Sequence, residues 1–273
     1  MPALPPRALI GMVHVHALPG SPFASLPLDE IIQTAVAEAR VLKDCGFDAL
    51  ILENMHDRPY VNGPHAPHTT ACMTAVALAV REAVGELPIG VQILSRGEHE
   101  ALAVAHACNA AFIRCENFVF AHVADEGLMP DAAAGPLLRY RKSIAPTIAI
   151  FADIKKKHAS HALTADVSLA QAAKAAEFFG ADGLIVTGTA TGEPTDPADV
   201  AQVRAATPTP TPTPTLPLLV GSGVTPAQVR PLFEAGADGL IVGSSIKQGG
   251  LWSNPIDPAA CQALAAARRH LHP

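Results

Sequence analysis

The chain has 273 residues, of which 49% are apolar and 16% charged, with a formal net charge of −6. That length holds one large α/β domain or two ordinary ones, and the apolar share suffices for a sizeable core. The acidic balance excludes a general nucleic-acid binder, which needs a basic face, and ACMTAVALAV (71–80), the longest central apolar stretch, is half a membrane span.

The opening MPALPPRALIGMVHV runs almost directly into a strand pattern, so no signal peptide is expected. The five cysteines, Cys45, Cys72, Cys108, Cys115 and Cys261, contain no CxxC pair. They read as buried thiols in a reducing compartment, which makes a cytoplasmic location the expectation.

In chain order, the first strand is expected near 8–15 and runs into GMVHVHALPGSP (11–22), where Pro19, Gly20 and Pro22 break it. Alternate residues of a strand share a face, so His14 and His16 are expected to point the same way. A helix at 30–45 leads to a strand near 48–53 that ends in Glu53 and Asn54, with MHDRPY (55–60) beyond. A helix at 69–84 leads to a strand near 89–94 carrying Gln92, and one at 98–109 to a strand near 111–116 carrying Arg114 and Glu116. After a helix at 132–144, the strand near 147–153 ends in ADIKKKHA (152–159), with Asp153, Lys155, Lys156, Lys157 and His158.

A helix at 167–179 then leads to a strand near 183–187, Thr187 and the loop GTATGEP. Beyond a helix at 197–206, TPTPTPTPTLP (207–217) reads as an extended polyproline-like connector into a strand near 217–220. VGSGVTP (220–226) opens a helix at 226–235, a strand near 239–243 ends in VGSSIK (242–247), and a helix at 258–270 closes the series. Thr225 as N-cap, Pro226 and Gln228 suggest a capping box, and the Asp-Pro pairs at 196–197 and 257–258 are further helix starts.

One phrase recurs: CGFDALILEN (45–54), CNAAFIRCEN (108–117), FGADGLIVTG (179–188) and AGADGLIVGS (235–244). Each joins a helix end through a short turn to an apolar strand, the pattern of a parallel sheet covered by helices. Eight strand–helix units with no strand left over predict a single-domain (β/α)8 TIM barrel rather than a doubly wound open sheet.

In such a barrel chemistry sits at the C-terminal ends of the strands. There the expected candidates for acid–base work and charge stabilisation are His14, Glu53, Asp153 and Lys157. Gln92, Arg114, Glu116, His158 and Thr187 are expected to contact a ligand. Gly221, Ser222 and Gly223 after the seventh strand, with Gly243 and Ser244 after the eighth, suit a phosphate, because glycine lets backbone N–H groups approach an anion. His-Val-His also fits metal-dependent hydrolase barrels, but their usual ligands on the sixth and eighth strands are missing. A weak Mg²⁺ held by Glu53 or Asp153 with a substrate phosphate stays open.

The segments LIGMVHVHALPGSP, DALILENMHDRPY, ADIKKKHA, GLIVTGTATGEP, LLVGSGVTP and GLIVGSSIK…NPIDP resemble the BtpA/SgcQ family over about residues 8–262. The resemblance implies a ribulose-phosphate-binding class of barrel and supports the phosphate reading of the two glycine–serine loops. It also implies a second-strand motif of Glu53, Asn54 and Asp57, and a sixth-strand loop containing Thr187, Gly188, Thr191, Gly192 and Pro194. His16 and Lys155 depart from the family pattern, as do Gln92 and Glu116, which stand where asparagine is usual. The family takes its name from photosystem I biogenesis.

Three functions follow as expectations. The first is an enzyme on a small phosphorylated metabolite, of lyase, isomerase or epimerase type and with no organic cofactor. For it, Asp153→Asn is expected to abolish turnover and leave the fold intact. The second is an assembly factor for a protein complex. The third is a metal-dependent hydrolase of nucleotide-like substrates that uses His14, Glu53 and Asp153. A homo-oligomer is the expectation for a barrel of this kind.

Overall fold

The apolar runs form strands buried on both faces, in the computed structural model, which describes residues 4–188, 193–208 and 216–271. The strands are β1 (Ala8–His14), β2 (Ala49–Glu53), β3 (Ile89–Gln92), β4 (Phe112–Cys115), β5 (His122–Ala124), β6 (Gly127–Met129), β7 (Ala149–Ile154), β8 (Ala159–Ser160), β9 (Gly183–Val186), β10 (Leu218–Val220) and β11 (Gly239–Val242). Eight of them close into a parallel barrel in the order β1-β11-β10-β9-β7-β4-β3-β2. Helices α1 (Leu28–Asp44), α2 (Pro67–Val84), α3 (Glu98–Ala107), α4 (Ala134–Ile144), α5 (Leu169–Phe178), α6 (Pro197–Ala206), α7 (Pro226–Glu234) and α8 (Pro258–Arg269) follow the barrel strands in turn. The chain is a single (β/α)8 barrel domain.

The period of two along each strand sorts the core into two layers. Ile10, Met12, Ile51, Phe112, Phe151, Ile185, Leu219 and Ile241 fill the barrel interior, whereas Leu9, Val13, Leu50, Leu52 and Val91 pack outward against the helices. Two glycines make room for the interior aromatics. A Cβ on Gly90 would lie 2.2 Å from the Phe112 ring, and one on Gly183 would lie 2.2 Å from the Phe151 ring. The rings meet edge to face at 5.2 Å and plug the barrel floor.

The recurring phrase has a mechanical role. Its aspartates Asp48, Asp182 and Asp238 accept the backbone N–H of Leu9, Ile150 and Leu218, at 2.8, 2.9 and 2.8 Å. Each also pairs with an arginine: Arg268, Arg141 and Arg204 respectively. The phrase thus tethers the N-terminal strand ends to the helices, away from the mouth. CNAAFIRCEN lacks the aspartate, and there Arg81 donates directly to the carbonyls of Cys108 and Asn109.

Asp196 and Asp257 cap their helices by accepting from Ala198 and from Ala259 and Ala260. Thr225 stands at the N-cap of α7 in extended backbone, but its side chain makes no cap bond, and Gln228 Oε1 is buried without a partner among the described residues. The capping box falls instead at Ser168 and Gln171, which start α5. The sequence reading did not contain the small antiparallel sheet β6-β5-β8, whose hairpin turns at Asp125 and Glu126 beside the mouth. The central part of the Thr-Pro connector, 209–215, lies outside the described residues. All five cysteines are free, four of them buried. Among the described residues no helix is long and apolar enough to cross a membrane.

Candidate active site

One step beyond the apolar interior layers, the inward position turns polar on five strands: His14, Glu53, Gln92, Arg114 and Asp153. The register places His14 beside Glu53, and Glu53 beside Gln92, around the rim. With Glu116, Lys156, Lys157, His158, Gly221, Ser222, Gly223, Gly243 and Ser244 they line one cavity of about 320 Å³. The sequence reading singled out each of these residues, and the fold brings them together.

Two ion pairs organise the wall. Arg114 Nε donates to both Asp153 oxygens at 3.2 and 3.1 Å, and its Nη2 reaches Oδ2 at 3.1 Å. Burial raises the Asp153 carboxyl, and Arg114 pulls it back down. Lys156 Nζ donates to Glu116 Oε1 at 3.2 Å. Lys157 makes no ion pair among the described residues, although it lines the same cavity. Burial, then the charge of Arg114, holds its ammonium below the usual lysine range.

Glu53 and His14 face each other at the rim. Burial pushes Glu53 up from 4.5 to about 7, against the pull of Arg114 and Lys157. Burial, then Lys247, drives His14 from 6.5 down to about 3, so its ring is neutral at pH 7. His14 Nδ1 lies 2.9 Å from the Trp252 carbonyl, an acceptor only. Nδ1 therefore carries the hydrogen, and Nε2 presents a lone pair 3.8 Å from Glu53 Oε2.

The glycine–serine loops have special backbones. Gly221 N–H donates to Val186 O at 2.8 Å, and Ser222 Oγ donates to Glu193 O at 2.9 Å. Gly223 sits at φ +64, where a Cβ would lie 2.2 Å from Glu193 O. Gly223→Ala should therefore cost about 1–3 kcal/mol, read as a lower Tm in thermal unfolding; an unchanged Tm would refute this tight approach. The N–H groups of Gly243 and Ser244 find no acceptor among the described residues, while both residues line the cavity.

Other candidates lie off the cavity. Asn54 follows Glu53 and so faces the opposite way; its Oδ1 accepts Leu94 N–H at 2.8 Å and its Nδ2 donates to Asp57 at 3.0 Å. Asp57 also accepts Leu18 N–H at 2.6 Å, so the two residues tie together the loops after β1, β2 and β3. The Thr187 hydroxyl accepts Lys157 N–H at 3.2 Å. β1 ends at His14, so strand alternation stops before His16, whose ring packs on His56 at 4.8 Å. Thr191 and Gly192 lie outside the described residues.

Sequence reasoning missed Arg58, Tyr60 and Trp252 as wall residues, along with Asp125 and Glu126 of the hairpin turn. Arg58 stacks over the Trp252 ring at 4.9 Å, joining the loops after β2 and β11. Lys247 supports the β11 loop from beneath through two 2.7 Å bonds to Glu38 of α1. A lone tryptophan after an arginine-bearing MHDRPY loop was the available signal, but nothing local links residues so far apart. Among the described residues no three His, Cys, Asp or Glu side chains stand together as a metal-holding set. The trio expected of a hydrolase is divided, because Arg114 occupies Asp153.

Known proteins resemble the chain along nearly its whole length. An uncharacterised mitochondrial protein of Caenorhabditis elegans is 44% identical over 254 residues, covering 91% of this chain and 88% of that protein. The photosystem I biogenesis protein BtpA of Synechocystis is 34% identical over 259 residues, covering 95% and 87%. Among solved structures, orotidine 5'-phosphate decarboxylase from Pyrococcus horikoshii matches with a TM-score of 0.59 at 15% identity, covering 95% of this chain and 99% of that one, a likeness of fold alone. The model of the BtpA family matches residues 6–270, and the chain belongs to that family.

Proposed function

We propose that the protein is an enzyme acting on a small phosphorylated metabolite at the barrel mouth, by a lyase, isomerase or epimerase type of reaction. The observation that carries this reading is Glu53: a carboxyl poised at about 7, facing a neutral imidazole in the cavity that also holds Lys157 and both glycine–serine loops. A general base works best with a pKa near the operating pH. The phosphate would rest on the N–H groups of Gly223, Gly243 and Ser244. Glu53 would take a proton from carbon beside a carbonyl and return it to the same or the neighbouring carbon, Lys157 would stabilise the resulting oxyanion, and the neutral His14 Nε2 would face the protonated Glu53 as a hydrogen-bond acceptor. Arg114 and Asp153 hold the wall in place, and Gln92, Glu116 and His158 border the remaining ligand. This scheme needs no organic cofactor. The fold likeness to an enzyme named for a phosphorylated compound is in keeping with it.

The test is thermal unfolding of the full chain with phosphorylated sugars and nucleotides, and with inorganic phosphate. A ligand at about 100 times its Kd adds about 2.7 kcal/mol of stability. Ser244→Asp, which brings a carboxylate to the phosphate position, should abolish that shift. The second reading, an assembly factor, is supported by the Synechocystis relative's name. A protein stabilised by no phosphate compound, yet co-purifying with a membrane or multisubunit complex, would favour it.

A further inference from the structure

We propose that the cavity wall built by the third and fourth barrel strands binds a protonated amine at the far end of the substrate. This rests on reading the glycine–serine loops as the phosphate seat. In the barrel order β3 and β4 stand diametrically opposite β10 and β11. A ligand whose phosphate lies on the loops after β10 and β11 therefore turns its other end toward Gln92, Glu116 and the β5–β6 turn.

Two acceptor atoms on that wall, one from Gln92 and one from Glu116, are buried without a partner among the described residues. Gln92 is 2% exposed and lines the cavity, and its Oε1 has no partner among the described residues. Glu116 gives one oxygen to Lys156, while its other oxygen, Oε2, is buried without a partner among the described residues. The exposed Asp125 and the half-buried Glu126 of the hairpin turn line the rim of the same cavity, and among the described residues neither forms an ion pair.

Charge narrows the ligand further. Of the cations in the lining, Arg114 is taken by Asp153 and Arg58 is stacked on Trp252 by the β11 loop, so on this wall Glu116, Asp125 and Glu126 share one ammonium, Lys156. Burial lowers His158 from 6.5, so the neighbouring ring adds no charge at neutral pH. Lys157 belongs to the centre of the cavity, where Arg114, Glu53 and Asp153 are the charges it feels most. A hydroxyl would satisfy one or two acceptors and leave the excess negative charge. An ammonium supplies three donors together with the missing positive charge. The substrate class is thus a phosphate monoester with an amine at the opposite end.

The experiment measures binding of ω-aminoalkyl monophosphates of increasing chain length to the full chain, against the matching ω-hydroxyalkyl monophosphates and inorganic phosphate. At the length that spans the cavity, the amine should bind about tenfold tighter than its hydroxyl counterpart. Asp125→Asn with Glu126→Gln should erase that ratio and leave the affinity for inorganic phosphate unchanged; circular dichroism checks that the variant folds. Equal affinity of amine and hydroxyl at every length overturns the amine site. If inorganic phosphate still binds and Ser244→Asp still weakens it, the phosphate seat survives that result. Failure of inorganic phosphate to bind overturns the seat, and the amine proposal with it.

Discussion

Glu53→Gln is expected to lower turnover about 10²- to 10⁴-fold, the usual worth of a positioned general base. Before substitution, the rate should rise with pH through about 7, because a base works only when ionised and burial holds Glu53 there. The amide variant should lose that rise. The same substitution should make the protein more stable in alkali. Below pH 4.5 the carboxyl is protonated in folded and unfolded chains alike, so its titration costs nothing. As pH rises from 4.5 to about 7 the unfolded chain releases the proton while the folded chain keeps it, and stability falls. Above 7 the penalty is complete, about 3 kcal/mol for this shift. Urea unfolding of both proteins at pH 4 and pH 8 measures it: Glu53→Gln should gain several times more at the higher pH. An equal gain at both would show that Glu53 titrates normally and would remove the basis for its role.

Asp153→Asn is expected to destabilise the fold by about 3–5 kcal/mol, because it leaves the Arg114 guanidinium buried without its carboxylate. Both side chains are nearly inaccessible, at 5% and 2%. The converse change, Arg114→Leu, should cost less. A stranded aspartate can take up a proton, and burial already raises Asp153, whereas a stranded guanidinium cannot shed one. Replacing both residues with leucine should recover most of the loss. Urea midpoints for the three variants at pH 7 decide this, and equal costs for the two single changes would contradict the pair as described. The sequence-based expectation that Asp153→Asn leaves the fold intact is set against this expected cost. A loss of turnover in that variant reports on structure as well as chemistry.

The eight strand–helix units were legible because each strand is an apolar run between turn residues, and that pattern is local. The inward set at the mouth was legible for a related reason. In a parallel barrel, the second residue after the last inward apolar side chain faces the lumen, which picks out His14 after Met12, Glu53 after Ile51 and Asp153 after Phe151. The same counting fails once a strand ends. His16 lies past the end of β1, and Asn54 is one residue out of phase. Three lysines in a row look alike in sequence, yet among the described residues Lys156 is paired with Glu116 and Lys157 has no ion pair, because the turn after β7 decides which stem points where. β5, β6 and β8 have only three, three and two residues, too few for any period to show. Trp252 enters through contacts with residues some two hundred positions away in the chain, which no local pattern encodes.

The bond between His14 and the Trp252 carbonyl ties the first strand to the loop after the last one. During synthesis, residue 14 leaves the ribosome long before residue 252. Until the eighth unit docks, nothing fixes which ring nitrogen of His14 is basic, and the imidazole interconverts between two forms as in free solution. The reactive face toward Glu53 exists only once the ring of strands has shut. On the role proposed for this pair, closure of the fold and the setting of the His14 tautomer are one event.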